Sequence, residues 1–238
     1  MNDDSPRRTG SSEDAVVAIV LAAGMSSRMD GLDKLWAELD GMPVFAYAVR
    51  AMAWTAGVTE IIVVAPRSRH TAIGLTMSGS PVPIRCVEGG ARRQDSVAAA
   101  IAAAPDAAWY LVQDGARPLV TPQLGALVLA AARRHGAAAP GVAVADTIKR
   151  VGRGVGIEPV VETLDRAPLR AIQTPQAFRG DILRRAHAEV TGESTDDAGM
   201  VEQLGLPVVL VTGDPRNIKV TTPSDLVVAE ALLRAREG

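Results

Sequence analysis

Five short, unbroken apolar runs constrain this chain more than any other feature: Val16 to Ala23, Ile61 to Ala65, Trp109 to Val112, Ala138 to Ala145 and Val208 to Val211. Each has the length of a strand. A strand apolar on both faces has to be covered on both, which is the condition of a parallel sheet between layers of helix. Helical spacing of apolar residues fills the intervals at Val44 to Trp54, Ser96 to Ala103, Pro122 to Arg134 and Asp181 to Glu189. Thr222, Pro223 and Asp225 supply a cap, a first-turn proline and a first-turn acid for a last helix reaching about Arg236. The alternation predicts an α/β fold with a doubly wound, mostly parallel sheet. Its ligand site is expected beyond the carboxyl ends of the strands.

One sheet of this kind can absorb 238 residues, so a single domain over residues 15–238 is expected, preceded by a polar, flexible tail at residues 1–14. The composition is 47% hydrophobic but only 3% aromatic, so the core is aliphatic. A formal net charge of −2 supplies no basic face and argues against a nucleic-acid partner. No apolar run approaches the roughly 20 residues of a membrane span. The lone cysteine, Cys86, has no partner for an intramolecular disulfide and reads as a buried, inert thiol in a reducing, cytoplasmic protein.

One stretch, about residues 146–166, breaks the alternation. Thr147 to Val151 and Pro159 to Thr163 flank a glycine-rich turn and read as a hairpin projecting from the domain. Such a hairpin is either a decorative loop or a partner-binding arm.

Four segments carry candidate chemistry. The first strand runs into Leu21-Ala22-Ala23-Gly24-Met25-Ser26-Ser27-Arg28, with Lys34 close behind. Small residues let backbone N–H groups approach an anion, and Arg28 adds a planar, multi-donor contact; a solvated turn charge is the alternative. The glycine spacing fits neither a Walker A loop nor a dinucleotide fingerprint. Next, Asp114 stands just past an apolar strand beside Arg117 and Pro118. It is either an oxygen ligand for Mg²⁺ or the cap of a turn. The third segment, Gly89-Gly90-Ala91-Arg92-Arg93, leads into a helix, and two arginines at a helix start suit a bound anion. Ser96 contacts either a base or a local backbone group. In the fourth, Lys219 sits between Ile218 and Val220 and reads as solvated unless other cations join it. The three histidines, His70, His135 and His187, lie in none of these segments, so imidazole catalysis is not expected.

Taken in order, Leu21 to Met29, Gly89 to Val97, Val112 to Pro118, Asp146 to Lys149, Thr174-Pro175-Gln176, Thr195-Asp196-Asp197-Ala198 and Asn217 to Thr221 resemble the 2-C-methyl-D-erythritol 4-phosphate cytidylyltransferase family of non-mevalonate isoprenoid synthesis. The resemblance spans roughly Val16 to the end. It implies a Rossmann-like nucleotidyltransferase fold that joins the CMP of CTP to a small polyol phosphate and releases pyrophosphate. It implies that Arg28 and Lys34 stabilise transition-state charge and that Ala22, Ala23, Gly24, Gly90, Arg93, Ser96, Ala116 and Arg117 contact CTP. Asp114 then holds Mg²⁺, while Arg166 and Lys219 position the acceptor with Thr147, Thr174 and Thr195 as hydrogen-bonding partners. The arm at about 146–166 becomes a dimerisation element of a homodimer. Asp33, Leu35-Trp36, Ala91, Gln113 and Gly115 depart from the commoner family pattern. The closest rival is a cytidylyltransferase for ribitol 5-phosphate or a similar polyol phosphate; a nucleotide-binding regulator without activity is more remote.

Overall fold

The computed structural model describes residues 15–24, 33–154, 156 and 158–237. The expected tail at 1–14 and the Arg28 assignment lie outside the described residues. Along the chain come β1 (Val16–Leu21), β2 (Glu38–Leu39), β3 (Met42–Pro43), α1 (Val44–Ala53), β4 (Glu60–Val64), α2 (His70–Thr76), β5 (Ile84–Val87), α3 (Arg93–Ala103), β6 (Trp109–Asp114), α4 (Pro122–His135) and β7 (Ala137–Ala143). There follow β8 (Lys149–Val151), β9 (Val160–Thr163), β10 (Arg170–Ile172), β11 (Gln176–Arg179), α5 (Gly180–Glu189), α6 (Asp197–Gln203), β12 (Val209–Thr212) and α7 (Pro223–Glu237).

The central sheet runs β5–β4–β1–β6–β11–β7, with β10 beside β11 on one edge of β7 and β12 on the other. All strands are parallel except β10 and β11, which run against β7. Period-two alternation sorts the side chains. Val16, Ala18, Val20, Ile61 and Val63 pack under α1 and α4, while Val17, Ile19, Ile62, Val64 and Tyr110 pack under α3, α5 and α6. A doubly wound sheet with helices on both faces is therefore what the apolar runs encode.

Capping fixes several helix starts. The Thr121 hydroxyl accepts from Leu124 N at 3.1 Å ahead of Pro122, and Asp225 accepts from the N–H groups of Thr221 and Thr222, both at 2.8 Å, to open α7. Helix α3 begins at Arg93, three residues before the expected Ser96, because Asp95 accepts from Arg92 N at 3.1 Å and closes the turn.

Strands β8 and β9 form a two-stranded sheet of their own, the projecting hairpin read from the sequence. The run at Val208 to Val211 is an edge strand with alternate residues exposed, not one buried on both faces. Cys86 is half-buried; burial raises its thiol above the ordinary value. Among the described residues no helix is long and apolar enough to cross a membrane.

Candidate active site

Strands β1 and β6 are neighbours, with Leu21 paired to Asp114 at their carboxyl ends. From β1 the chain turns away toward β4, whereas it reaches β6 from β5 on the far side, so the two departing loops separate here. A crevice opens at such a switch point. Two glycines make its walls thin. Gly115 N donates to Leu21 O at 3.0 Å, and a Cβ on Gly115 would lie 2.6 Å from that oxygen. A Cβ on Gly89 would lie 2.4 Å from Ala23 Cβ, so only glycine lets the loops after β1 and β5 meet.

The loops after β1, β5 and β6 enclose a cavity of about 560 Å³. Ala23, Gly24 and Lys34 line one side, Gly90, Arg92, Arg93 and Ser96 another, and Asp114, Ala116 and Lys219 the floor. The turn carrying Lys34 is pinned by its neighbours: Arg69 lies 4.4 Å over the Trp36 ring and 3.6 Å from Asp33, and Trp36 packs on Phe45 at 4.7 Å. Two of the departures from the family pattern, Asp33 and Trp36, are thus structural supports.

A second cavity of about 370 Å³ adjoins the first. Arg117, Thr174, Gln176, Thr195 and Asp196 line it, and it shares Arg93, Asp114 and Lys219 with the larger one. The common wall is an ion cluster. The Asp114 carboxylate has Lys219 Nζ at 2.8 Å, Arg93 Nε at 3.5 Å and Arg117 Nε at 3.8 Å. Burial alone would raise the Asp114 pKa, but the three cations outweigh it and hold the carboxyl below the usual range. Burial pushes Arg117 down from the ordinary arginine value, against the pull of Asp114; its guanidinium stays charged at neutral pH.

Several expected residues meet here and others do not. Ala22 N is spent on Val64 O at 2.7 Å, continuing the β ladder, and Ala22 lines neither cavity. Ser96 does local work: its hydroxyl accepts from Gly90 N at 3.2 Å and donates to Arg92 O at 3.3 Å while facing the larger cavity. Arg117, expected on CTP, faces the second cavity and donates to Asn217 O at 2.7 Å. Thr174 accepts from Asp114 N at 3.0 Å and so fixes the carboxylate-bearing backbone. Lys219 is no isolated solvated lysine, since it pairs with Asp114. Arg166 and Thr147 line neither cavity; both are exposed at the base of the hairpin, where Arg166 donates to Ala145 O.

Sequence reasoning passed over the layer behind the site. Asp197, fully buried, receives Arg93 Nη1 at 2.7 Å and His187 Nε2 at 2.9 Å. Gln176 bridges Asp196 Oδ2 at 2.7 Å and Ala198 N at 3.1 Å, and Asn217 donates to Thr174 O at 2.9 Å. Doubled acids in Thr195-Asp196-Asp197 were a signal, but nothing local says which one faces inward.

Comparison with known proteins places this geometry. Residues 16–235 match the family model described as 2-C-methyl-D-erythritol 4-phosphate cytidylyltransferase. The enzyme of that name from Pelotomaculum thermopropionicum is 44% identical over 94% of this chain and 97% of its own length, and that from Nocardia farcinica is 45% identical over 93% and 95%. Among solved structures, the 4-diphosphocytidyl-2C-methyl-D-erythritol synthase of Anaerococcus prevotii superposes with a TM-score of 0.82 at 26% identity, over 93% of this chain and 99% of that one. The 2-C-methyl-D-erythritol 4-phosphate cytidylyltransferase of Thermus thermophilus gives 0.74 at 36% identity, over 91% and 98%.

Proposed function

This chain belongs to the 2-C-methyl-D-erythritol 4-phosphate cytidylyltransferase family, and from that premise we propose how its two cavities divide the work. The enzyme transfers CMP from CTP to 2-C-methyl-D-erythritol 4-phosphate and releases pyrophosphate, a step of non-mevalonate isoprenoid precursor synthesis. The observation that carries the reading is the shared wall. The larger cavity takes CTP, the smaller one takes methylerythritol phosphate, and Arg93, Asp114 and Lys219 stand where acceptor oxygen meets the α-phosphorus.

In the reaction a phosphate oxygen of the acceptor forms a bond to that phosphorus while the bond to the bridging oxygen of the pyrophosphate breaks. The attacking oxygen is already an anion, so no protein base has to remove a proton. What remains for the protein is alignment and charge neutralisation. Lys34 and Arg93 neutralise the triphosphate from the nucleotide side. Lys219 has 41% of its side chain exposed against 26% for Arg93 and 11% for Arg117, so it is the partner freest to leave Asp114 for a phosphate. Thr174 and Thr195 offer hydroxyls to the acceptor. The family resemblance gives Arg28 the same charge-neutralising role in this reading.

Asp114 suits Mg²⁺. Among the described residues no group of three or more His, Cys, Asp or Glu could cage a metal, and a single cavity-facing carboxylate is what Mg²⁺ uses when substrate phosphates and water supply its other ligands. When bound, the ion neutralises charge on the triphosphate and the leaving pyrophosphate.

The hairpin supports a homodimer. Val160 and Val161 are 60% and 66% exposed on a two-stranded sheet outside the core, and a second copy would cover them and bring Arg166 and Thr147 toward its acceptor cavity. The lone half-buried cysteine suits a cytoplasmic enzyme.

The test is pyrophosphate release from CTP and Mg²⁺ with methylerythritol phosphate or ribitol 5-phosphate in parallel. Release is expected with the first and stops with a chelator; preference for the second overturns the assignment of the smaller cavity. Sedimentation of Val160→Asp should give monomers where the parent gives dimers.

A further inference from the structure

The guanidinium of Arg93 is held between two carboxylates. Nη1 donates to Asp197 Oδ2 at 2.7 Å and Nε faces Asp114 at 3.5 Å, while Nη2 is buried and has no hydrogen-bond partner. Arg93 keeps 26% of its side chain exposed and lines the larger cavity, so the residue as a whole stands beside the space a phosphate would fill. The plane of the guanidinium is set by what grips Nη1. Asp197 opens α6, is fully buried, and has both oxygens committed, Oδ2 to Arg93 and Oδ1 to His187 Nε2 at 2.9 Å. The carboxylate can only accept, so His187 Nε2 carries the proton and donates. His187, on α5, lines neither cavity and has 6% of its side chain exposed. Its hydrogen bond goes to the Asp197 carboxylate and to no residue of either cavity wall.

We propose that Asp197, backed by His187, is a positioning residue that fixes the plane of the Arg93 guanidinium where it borders the phosphates of the nucleotide. The assignment rests on the reading that Arg93 contacts CTP. It also joins the two substrates, because Thr195 and Asp196, the two residues before Asp197, line the acceptor cavity. The backbone that shapes the acceptor side carries the anchor of the nucleotide-side arginine.

A double-mutant cycle with Asp197→Asn and Arg93→Lys separates this from a structural role. Asp197→Asn alone should lower kcat/KM for CTP by about 10²-fold, the loss that follows a misplacement of about 1 Å. In the Arg93→Lys background the same change should have an effect below about threefold, because no guanidinium plane is left to set. Equal losses in both backgrounds, or full activity of folded Asp197→Asn, overturn the proposal. Full activity of Arg93→Lys alone overturns the prior reading of Arg93 instead. Should Asp197→Asn fail to fold by circular dichroism, His187 decides. His187→Ala should lose roughly tenfold, the worth of a hydrogen bond to a charged group, with recovery in His187→Gln, whose amide still donates. A loss in His187→Ala that is undiminished in the Arg93→Lys background refutes the positioning role.

Discussion

Replacing Asp114 by Asn tests the ion cluster at its centre. The substitution keeps shape but removes the negative charge that Lys219, Arg93 and Arg117 share at 2.8, 3.5 and 3.8 Å, leaving Arg93 its second carboxylate, Asp197, at 2.7 Å. Breaking a buried pair costs about 3–5 kcal/mol; Lys219, partly exposed, rehydrates and brings the expected loss to about 3 kcal/mol. At about 2–4 °C per kcal/mol for a chain of this size, Tm should fall by roughly 10 °C. CTP should reverse most of this. Without metal the variant's cavity carries one more net positive charge, so CTP binds it no more weakly than the parent, and nucleotide at about 100 times Kd restores about 2.7 kcal/mol. Turnover with Mg²⁺ should nevertheless drop at least about 10²-fold. The pH dependence has a defined sign. The native Asp114 carboxyl titrates below its unfolded value, so in that window the unfolded chain binds more protons and stability rises with pH. The parent's advantage over Asp114→Asn is therefore complete above about pH 4 and lost only as pH falls through the depressed native value. Calorimetry with and without CTP, repeated from pH 7 to 3, reads all of this. A variant within about 2 °C of the parent, or one that CTP does not restore, refutes the reasoning.

Gly89→Ala should destabilise by about 1–3 kcal/mol in urea unfolding and raise KM for CTP, because its Cβ meets Ala23 Cβ at 2.4 Å between two packed loops. Tyr110→Phe should cost about 1 kcal/mol with turnover unchanged, since the buried hydroxyl donates to Ala104 O at 2.6 Å on the helix side of the sheet. Cys86, half-buried and raised above the ordinary thiol value, should react slowly with a maleimide at pH 7 and faster as pH rises past that value; fast labelling at neutral pH contradicts its placement against the core.

Four of the five apolar runs are central parallel strands, and they were legible because burial on both faces writes an unbroken apolar word. The fifth, β12, sits at the sheet edge, and its apolar run spends alternate residues on solvent. Strand β5 was passed over because Arg85 interrupts it on an exposed face. Strand β11 is four residues, Gln176 to Arg179, inserted antiparallel between β6 and β7; neither its length nor its alternation announces a buried strand. In the site, charged residues just past strand ends were legible because strand ends are where α/β ligands bind. Arg117 lines the second cavity and not the larger one, a choice of direction that no local sequence pattern announces. Asp197 and His187 escaped because their partner is remote: Arg93 and Asp197 are 104 residues apart, and long-range ion pairs leave no local pattern.

On the proposed assignment of the cavities, the chain order keeps the two substrates apart. Every residue lining the larger cavity lies at or before Ala116 except Lys219, and every residue lining the smaller one lies at or after Arg117 except Arg93 and Asp114. A lineage changing its acceptor could then draw most of its substitutions from the second half of the gene, sparing Lys219 and Asp197, while most of the nucleotide side in the first half is inherited intact. On that assignment, recombination near the codons for residues 116 and 117 would shuffle acceptor preference as a block provided pairs that cross the join, among them Arg93–Asp197, Asp114–Lys219 and Asp114–Thr174, still match.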